Sequence, residues 1–188
     1  MTMPQNWIEK QGPQFISQLG IQPKQTILDF GCGKGNYTLP AAKQVGPKGK
    51  IYALDDMPSN LETIEKQART LNLTNIDYIN THGEIDLPHF LLPINTILVF
   101  DVLHYFKKQQ RKHLYRQFYD CLEKKGQLIV YPKHTTDNWP MWNLSSYSTK
   151  DLIQEIQRET FLLKETRTAR LIHDQEYEEG TLLRFMKG

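Results

Sequence analysis

The stretch Ile27-Leu28-Asp29-Phe30-Gly31-Cys32-Gly33-Lys34-Gly35-Asn36 decides how the fold is read. An apolar, β-rich run ends in a carboxylate, and three glycines follow at alternate positions just before a helical pattern. Glycine permits positive φ and lets a ligand approach the backbone closely. A helix that starts behind such a turn presents unpaired N–H groups to it. In open α/β sheets, ligands bind beyond the carboxyl ends of the strands, which is the place of this loop after the first strand. The spacing is GxGxG, with Asn36 after Gly35, whereas a dinucleotide fingerprint is GxGxxG. An anionic pyrophosphate also sits badly beside Asp29, while a cationic or amino-bearing ligand suits it.

Outward from that loop, β-type runs alternate with helical patterns. Thr26–Phe30, Lys50–Leu54, Ile76–Asn80, Thr96–Phe100 and Gln127–Tyr131 read as strands. The first, fourth and fifth are nearly continuous in apolar residues, as strands covered on both faces are. Leu61, Ile64, Ala68 and Leu71 recur at helix spacing behind Pro58, a residue suited to a first helical turn. Leu114, Phe118 and Leu122 repeat between Lys107 and Lys125, and Gly126 supplies a C-cap before the fifth strand. This alternation predicts a parallel sheet flanked by helices, the α/β class. Asn6–Leu19 predicts a short helical cap broken near Gly12-Pro13. Ser148-Thr149-Lys150-Asp151 resembles an N-cap ahead of a helix over Leu152–Glu159. Phe161–Leu171 and Thr181–Met186 read as two further strands joined by the acidic connection His173–Gly180. With no internal repeat, low-complexity segment or linker, residues 1–188 read as a single domain, residues 1–20 being its N-terminal helical cap.

A second acid gives the glycine loop its meaning. Asp55 ends the second strand in Ile51-Tyr52-Ala53-Leu54-Asp55-Asp56-Met57. It lies about twenty residues beyond Gly35, where an acid in this kind of unit accepts from ribose hydroxyls. Such charge-assisted bonds are roughly twice as strong as neutral ones. The alternative is that Asp55 and Asp56 open a turn and cap the helix at Pro58.

Composition narrows the function classes. The 188 residues carry 23 Lys plus Arg against 21 Asp plus Glu, a net charge of +2 that gives no general pull towards nucleic acid or an anionic membrane. The longest charge-free apolar stretch, Leu87 to Phe100, holds His89, Asn95 and two prolines and falls short of the ~20 residues a membrane span requires. The first residues, MTMPQNWIEK, lack the apolar region of a secretory signal. Two cysteines, Cys32 and Cys121, with no CxxC pattern, argue against a disulfide framework or a structural zinc site and suit a reducing cytoplasm. No metal is expected.

The run ILDFGCGKGNYTLPAAKQVGPKGKIYALDDMP resembles motif I through the ribose acid of class I S-adenosylmethionine-dependent methyltransferases. TILVFDVLHYF is similar to their fourth-strand motif and LEKKGQLIVYP to the fifth-strand region, so the resemblance runs from about Thr26 to Pro132. It extends to the small single-domain group described as methyltransferase type 11 or 25. It implies a Rossmann-like three-layer sandwich with a seven-stranded, mostly parallel sheet whose last strand is antiparallel. It also implies that the Gly31, Cys32, Gly33 and Gly35 backbone wraps the methionine part of the cofactor, with Asp29 near its amino group. Asp55, with Asp56 beside it, would hold the ribose. Phe100 and Asp101 would lie beside the transferable methyl. The family usually has an acid for the adenine amino group after the third strand. Here His82 takes that position, a neutral imidazole nitrogen can accept the same bond, Gly83 can meet a ring nitrogen, and Glu84 is the substitute acid.

The implied activity is methyl transfer by in-line displacement, leaving S-adenosylhomocysteine. Alignment alone supplies much of such a reaction, so a missing catalytic triad says nothing against an enzyme. His104 and Tyr105, after Asp101, are the candidates for acceptor-side catalysis; the alternative for His104 is a structural hydrogen bond. The aromatic segment Tyr131-Pro132-Lys133-His134, Trp139-Pro140-Met141-Trp142 and Tyr147 either lids an apolar or aromatic substrate or covers the sheet edge. Lys107, Lys108, Arg111, Lys112 and Arg116 form a basic run on one helix, read chiefly as a solvated face and otherwise as a nucleic-acid contact. The expected acceptor is a small molecule, with no membrane partner and no nucleic acid. The rival readings are an RNA or protein methyltransferase and a non-catalytic binding subunit of the same fold.

Overall fold

The computed structural model describes residues 5–83, 86–88, 93–173 and 176–188. Seven strands form a mostly parallel sheet with one inserted antiparallel strand, the Rossmann-like arrangement that the resemblance implies. The backbone divides into two compact units, Met1–Glu84 with Ile172–Glu178, and Ile85–Leu171 with Glu179–Gly188.

The first unit opens with a π-helical turn over Trp7–Gln11 that runs directly into α1 (Gly12–Gln18). The expected break at Gly12-Pro13 is absent, because Pro13 falls in the first turn of α1 and needs no i→i−4 donor there. Gly12 serves packing instead: a Cβ on it would meet Pro40 at 2.6 Å. There follow β1 (Thr26–Phe30), α2 (Thr38–Val45), β2 (Lys50–Asp55), α3 (Pro58–Thr70) and β3 (Ile76–Asn80). The three strands are parallel in the order β3-β2-β1, with Thr26 opposite Lys50 and Asp55 opposite Asn80. Ile27, Leu28, Ile51, Ala53 and Leu54 are fully buried, which is why β1 and β2 read as apolar runs. α3 buries the stripe Leu61, Ile64 and Ala68, while Leu71 is its C-cap.

The second unit holds β4 (Ile94–Phe100), α4 (Lys108–Cys121), β5 (Leu122–Tyr131), α5 (Thr149–Gln157), β6 (Phe161–His173) and β7 (Glu176–Lys187), the facing tips of the last two strands belonging to the first unit. The order is β4-β5-β7-β6, with β4 and β5 parallel and β7 antiparallel to β5 from Gln127↔Met186 to Val130↔Leu183. Two boundaries differ from expectation. α4 ends at Cys121 and β5 starts at once, so Gly126 lies inside a strand and caps nothing. The β4–β5 register shifts between Ile94↔Leu122 and Thr96↔Gln127, and Lys125 turns at φ +71 within that irregularity. The acidic connection His173–Gly180 is also mostly strand, since β6 reaches His173 and β7 begins at Glu176. Ser148 does cap α5: its Oγ accepts from the Asp151 amide at 3.1 Å while the Asp151 carboxylate accepts from the Ser148 amide at 2.9 Å. Among the described residues, no helix is long and apolar enough to cross a membrane.

Candidate functional site

The glycine loop sits at the carboxyl end of β1 and hangs from β2. The amides of Gly31 and Cys32 both donate to the Leu54 carbonyl at 2.9 Å, and the Gly35 amide donates to the Cys32 carbonyl at 3.0 Å. The Gly33 amide donates to Asp55 Oδ2 at 2.8 Å. These four N–H groups are therefore committed within the protein, and a phosphate laid on the loop would have to displace them. A ligand that brings its own donors meets the acceptors of the loop instead. Gly33 is the point of closest access: its φ is +52, and a Cβ built there would meet no atom within 4 Å. Gly35, at φ +86, answers to packing, because a Cβ there would meet Ile64 Cγ1 at 2.8 Å.

Two carboxylates flank the loop. Asp29 is 3% exposed, and the Thr38 hydroxyl at the start of α2 donates to its Oδ2 at 2.6 Å. Burial pushes the Asp29 carboxyl up to about 7, against the opposing Thr38 hydrogen bond and reinforced by the Asp55 charge. A cationic ligand beside Asp29 would reverse that cost by pairing with the carboxylate. Asp55 is held more tightly. Its Oδ1 accepts from the Met57 amide and from Asn60 Nδ2, both at 2.9 Å, and its Oδ2 accepts from Gly33. A carboxylate offers about four acceptor positions, so three are used and one remains on Oδ2 for a ligand hydroxyl. The chemistry of this donor and acceptor set fits the amino group and ribose of an adenosyl amino-acid cofactor better than it fits a pyrophosphate.

The remaining predicted positions of this unit are more open. Asp56 is exposed and its carbonyl takes a 3.5 Å contact from Asn80 Nδ2. Asn80 Oδ1 accepts from the His82 amide at 2.7 Å, and the Thr81 amide donates to the Asp55 carbonyl at 3.1 Å. These bonds turn the chain so that His82 (φ +52) and Gly83 (φ +78) both adopt left-handed backbone and stand exposed. Glu84 lies outside the described residues. Cys32 is 7% exposed and burial raises its thiol pKa well above the ordinary value, so the sulfur is protonated and inert.

The second unit carries its own polar cluster, at the ends of β4 and β5. Phe100 ends β4, edge-on to Tyr131 with ring centroids 6.5 Å apart. Asp101 follows at φ +54, its amide donating to the Tyr131 carbonyl at 3.0 Å. Its Oδ1 faces His104 Nδ1 at 3.5 Å and His134 Nε2 at 3.2 Å. Both histidines are buried, and their rings meet edge to face at 4.3 Å. Tyr105 and Trp142, each 58% exposed, pack on His104 at centroid distances of 4.1 and 5.2 Å. Asn143 Nδ2 ties the loop to the His104 and Tyr105 carbonyls at 3.0 and 3.2 Å. Of the aromatic segment, His134 and Trp142 thus pack on His104, while Tyr147 lies against Arg111 and Trp139 is 74% exposed.

The basic run separates into two kinds of residue. Arg111 is only 1% exposed and pairs bidentately with Glu155 of α5 at 2.7 and 2.9 Å, so its reading as part of a solvated face is wrong. Burial by itself lowers its pKa, and the hydrogen-bonded carboxylate more than offsets this, for a net upward shift. Arg116 pairs with Glu159 at 2.8 Å, and Lys112 approaches the same carboxylate at 4.0 Å. Four contributors were not read from the sequence in these roles: Thr38 on Asp29, Asn60 on Asp55, Asn80 under His82, and His134 beside Asp101. A hydroxyl in the first turn of the helix behind the loop was the only local signal, for Thr38.

Residues 27–126 match the family described as Methyltransferase domain. The aklanonic acid methyltransferase DauC of Streptomyces sp. (strain C5) is 38% identical over 60 residues, 32% of this chain and 27% of that protein. The 23S rRNA (uracil(1939)-C(5))-methyltransferase RlmD of Alcanivorax borkumensis is 35% identical over 69 residues, 37% of this chain and 15% of that protein. The chain therefore spans about a quarter or less of the length of these two relatives. A crystal structure of a SAM dependent methyltransferase from Aquifex aeolicus superposes with a TM-score of 0.74 at 19% identity, covering 98% of this chain and 94% of that one, and so shares the fold. The chain belongs to the methyltransferase-domain family.

Proposed function

We propose that this member of the methyltransferase-domain family binds S-adenosylmethionine and transfers its methyl group to a small, apolar or aromatic acceptor. The observation that carries the cofactor reading is the donor bookkeeping of the glycine loop. Its amides are spent on Leu54, Cys32 and Asp55, while Asp29 and one position on Asp55 can still accept. Asp29 pairs with the amino group, Gly33 leaves the backbone open to close approach, Asp55 takes a ribose hydroxyl, and His82 with Gly83 faces the base. The relatives named above, one of them SAM dependent by description, support the same reading. Bound S-adenosylmethionine supplies a methyl already activated on a sulfonium. The protein is left to bind, to orient and to exclude water.

Acceptor class rests on the second unit. Tyr105 and Trp142 present exposed aromatic surface against His104, and Trp139 is exposed in the same segment, which suits a planar or hydrophobic molecule. The basic helix offers little to a phosphate backbone, because Arg111 is buried on Glu155 and Arg116 is paired with Glu159. His104 and Tyr105 are the acceptor-side candidates, with Phe100 and Asp101 beside them in the same unit. Calorimetric titration with S-adenosylmethionine, S-adenosylhomocysteine and NAD tests the cofactor. Binding of the two adenosyl ligands alone is expected, and binding of NAD alone would overturn the reading. A methyl-transfer screen against phenolic, quinone-like and RNA acceptors then tests the substrate class. Turnover confined to RNA would replace the small-molecule assignment, and tight binding without any turnover would leave a binding subunit.

A further inference from the structure

We propose that Asp101, His104 and His134 form a binding site for a divalent first-row transition ion of the Zn2+ type. Each residue offers one ligand atom, and the three atoms lie within 4.8 Å of one another. A tetrahedral ion bound at about 2.0–2.2 Å separates its ligand atoms by about 3.3–3.6 Å. Asp101 Oδ1 stands 3.2 Å from His134 Nε2 and 3.5 Å from His104 Nδ1, close to those tetrahedral edges. Charge-assisted N–H···O bonds close to about 2.7–2.9 Å, as the protein does at Arg111–Glu155. The Asp101 contacts are longer than that and match the ligand–ligand separations of a bound ion.

The outer partners agree. His134 Nδ1 lies 3.0 Å from the Trp139 carbonyl, which can only accept, so Nδ1 carries the proton. Nε2, 3.2 Å from Asp101 Oδ1, is then the ring nitrogen on the side of the cluster where an ion would be held. A backbone carbonyl holding the far nitrogen is also the usual support of a metal-bound histidine. The backbone is bent into unfavourable regions at three points around the cluster: φ is +54 at Asp101, +48 at Trp139 and +44 at Trp142. Such strain in non-glycine residues concentrates at functional sites. Two imidazoles and one carboxylate suit zinc, cobalt, nickel or iron and disfavour magnesium and calcium, which prefer all-oxygen sites. Three protein ligands leave one position open to water or to an acceptor oxygen or sulfur, as catalytic rather than structural sites do. The histidines are thirty positions apart in a chain without any Cys/His motif, so only folding of the β4 and β5 ends reveals the set.

The test is equilibrium dialysis of the chelator-stripped full chain against Zn2+, with metal measured by mass spectrometry. One equivalent is expected, with no competition by excess Mg2+. Co2+ in place of Zn2+ should give the intense visible bands of a tetrahedral site. His104→Ala and His134→Ala should each weaken Zn2+ binding by about 100-fold or more, since even outer-shell partners are worth 10–100-fold. His113→Ala, on the exposed pair with Asp86, should bind as the native chain does. Failure of the native protein to bind Zn2+ or Co2+, or unchanged binding in both histidine variants, would overturn the proposal. The Co2+ spectrum needs no variant, so poor folding of either substitution does not blunt the test. Metal binding is read without cofactor or turnover, and its outcome stands apart from that of the methyl-transfer reading.

Discussion

Replacing Asp29 by asparagine should make the protein more stable and worse at binding its cofactor, and the two effects should share one pH dependence. The carboxyl is 3% exposed and titrates at about 7 in the folded chain against 3.8 when unfolded, chiefly because burial penalises its charge. The rise from 3.8 to about 7 corresponds to about 4 kcal/mol. The folded-state value is raised, so this contribution to stability is fully present below pH 3.8 and is lost as the pH rises through about 7. The carboxamide of the Asp29→Asn variant mimics the neutral acid at every pH and keeps an acceptor for the Thr38 hydroxyl. The difference between variant and native stability should therefore be near zero at pH 4 and grow to as much as about 4 kcal/mol in favour of the variant by pH 8. Urea denaturation followed by tryptophan fluorescence across that range measures it, and the difference curve removes every other titrating group. Titration of S-adenosylmethionine at pH 8 should show weaker binding to the variant, because the ammonium loses its carboxylate. A difference in stability that does not change with pH would refute the buried-acid reasoning. Unchanged cofactor affinity would refute the ligand assignment while leaving the stability argument intact.

Asp55→Asn should lower S-adenosylmethionine affinity roughly 10- to 100-fold in calorimetry, the worth of a charge-assisted bond of about 1.5–3 kcal/mol; affinity within twofold of native would remove Asp55 from the ribose role. Gly33→Ala should cost only about 1–2 kcal/mol of stability for its left-handed backbone, since no atom stands near the added methyl, yet it should disturb cofactor binding out of proportion. Equal, small losses in both measurements would mean that nothing approaches the backbone there. Glu155→Ala strands the Arg111 cation in a buried setting and should cost about 3–5 kcal/mol by chemical denaturation; a loss under about 1 kcal/mol would show that water reaches the guanidinium.

Much of the loop proposed for the cofactor was legible along the chain because it is local. The strands ending in Phe30 and Asp55, the three glycines and the helix behind them occupy one short β-α-β stretch. Apolar periodicity marks the covered strands, and positive φ demands glycine at Gly31, Gly33 and Gly35. Boundaries failed where tertiary packing outweighed local preference. Gly126 reads as a helix stop but fills a crowded strand position, where a Cβ would meet the Glu123 carbonyl at 2.9 Å. Arg111 failed for a related reason: one cation within a basic run carries no mark of the Glu155 that will face it from another helix.

What the amino-acid order determined by itself was thus the α/β class, the glycine loop proposed here to hold the cofactor and the acids at its edges, since each depends on neighbours a few residues apart. Tertiary structure alone decided the upward shift of the Asp29 carboxyl, which follows from burial, and the internal commitment of the loop amides. It alone also decided the meeting of Asp101 with His104 and His134, which depends on two parallel strands ending side by side. Charge cost and ligand geometry are properties of surroundings in space, and no spacing along the chain encodes them.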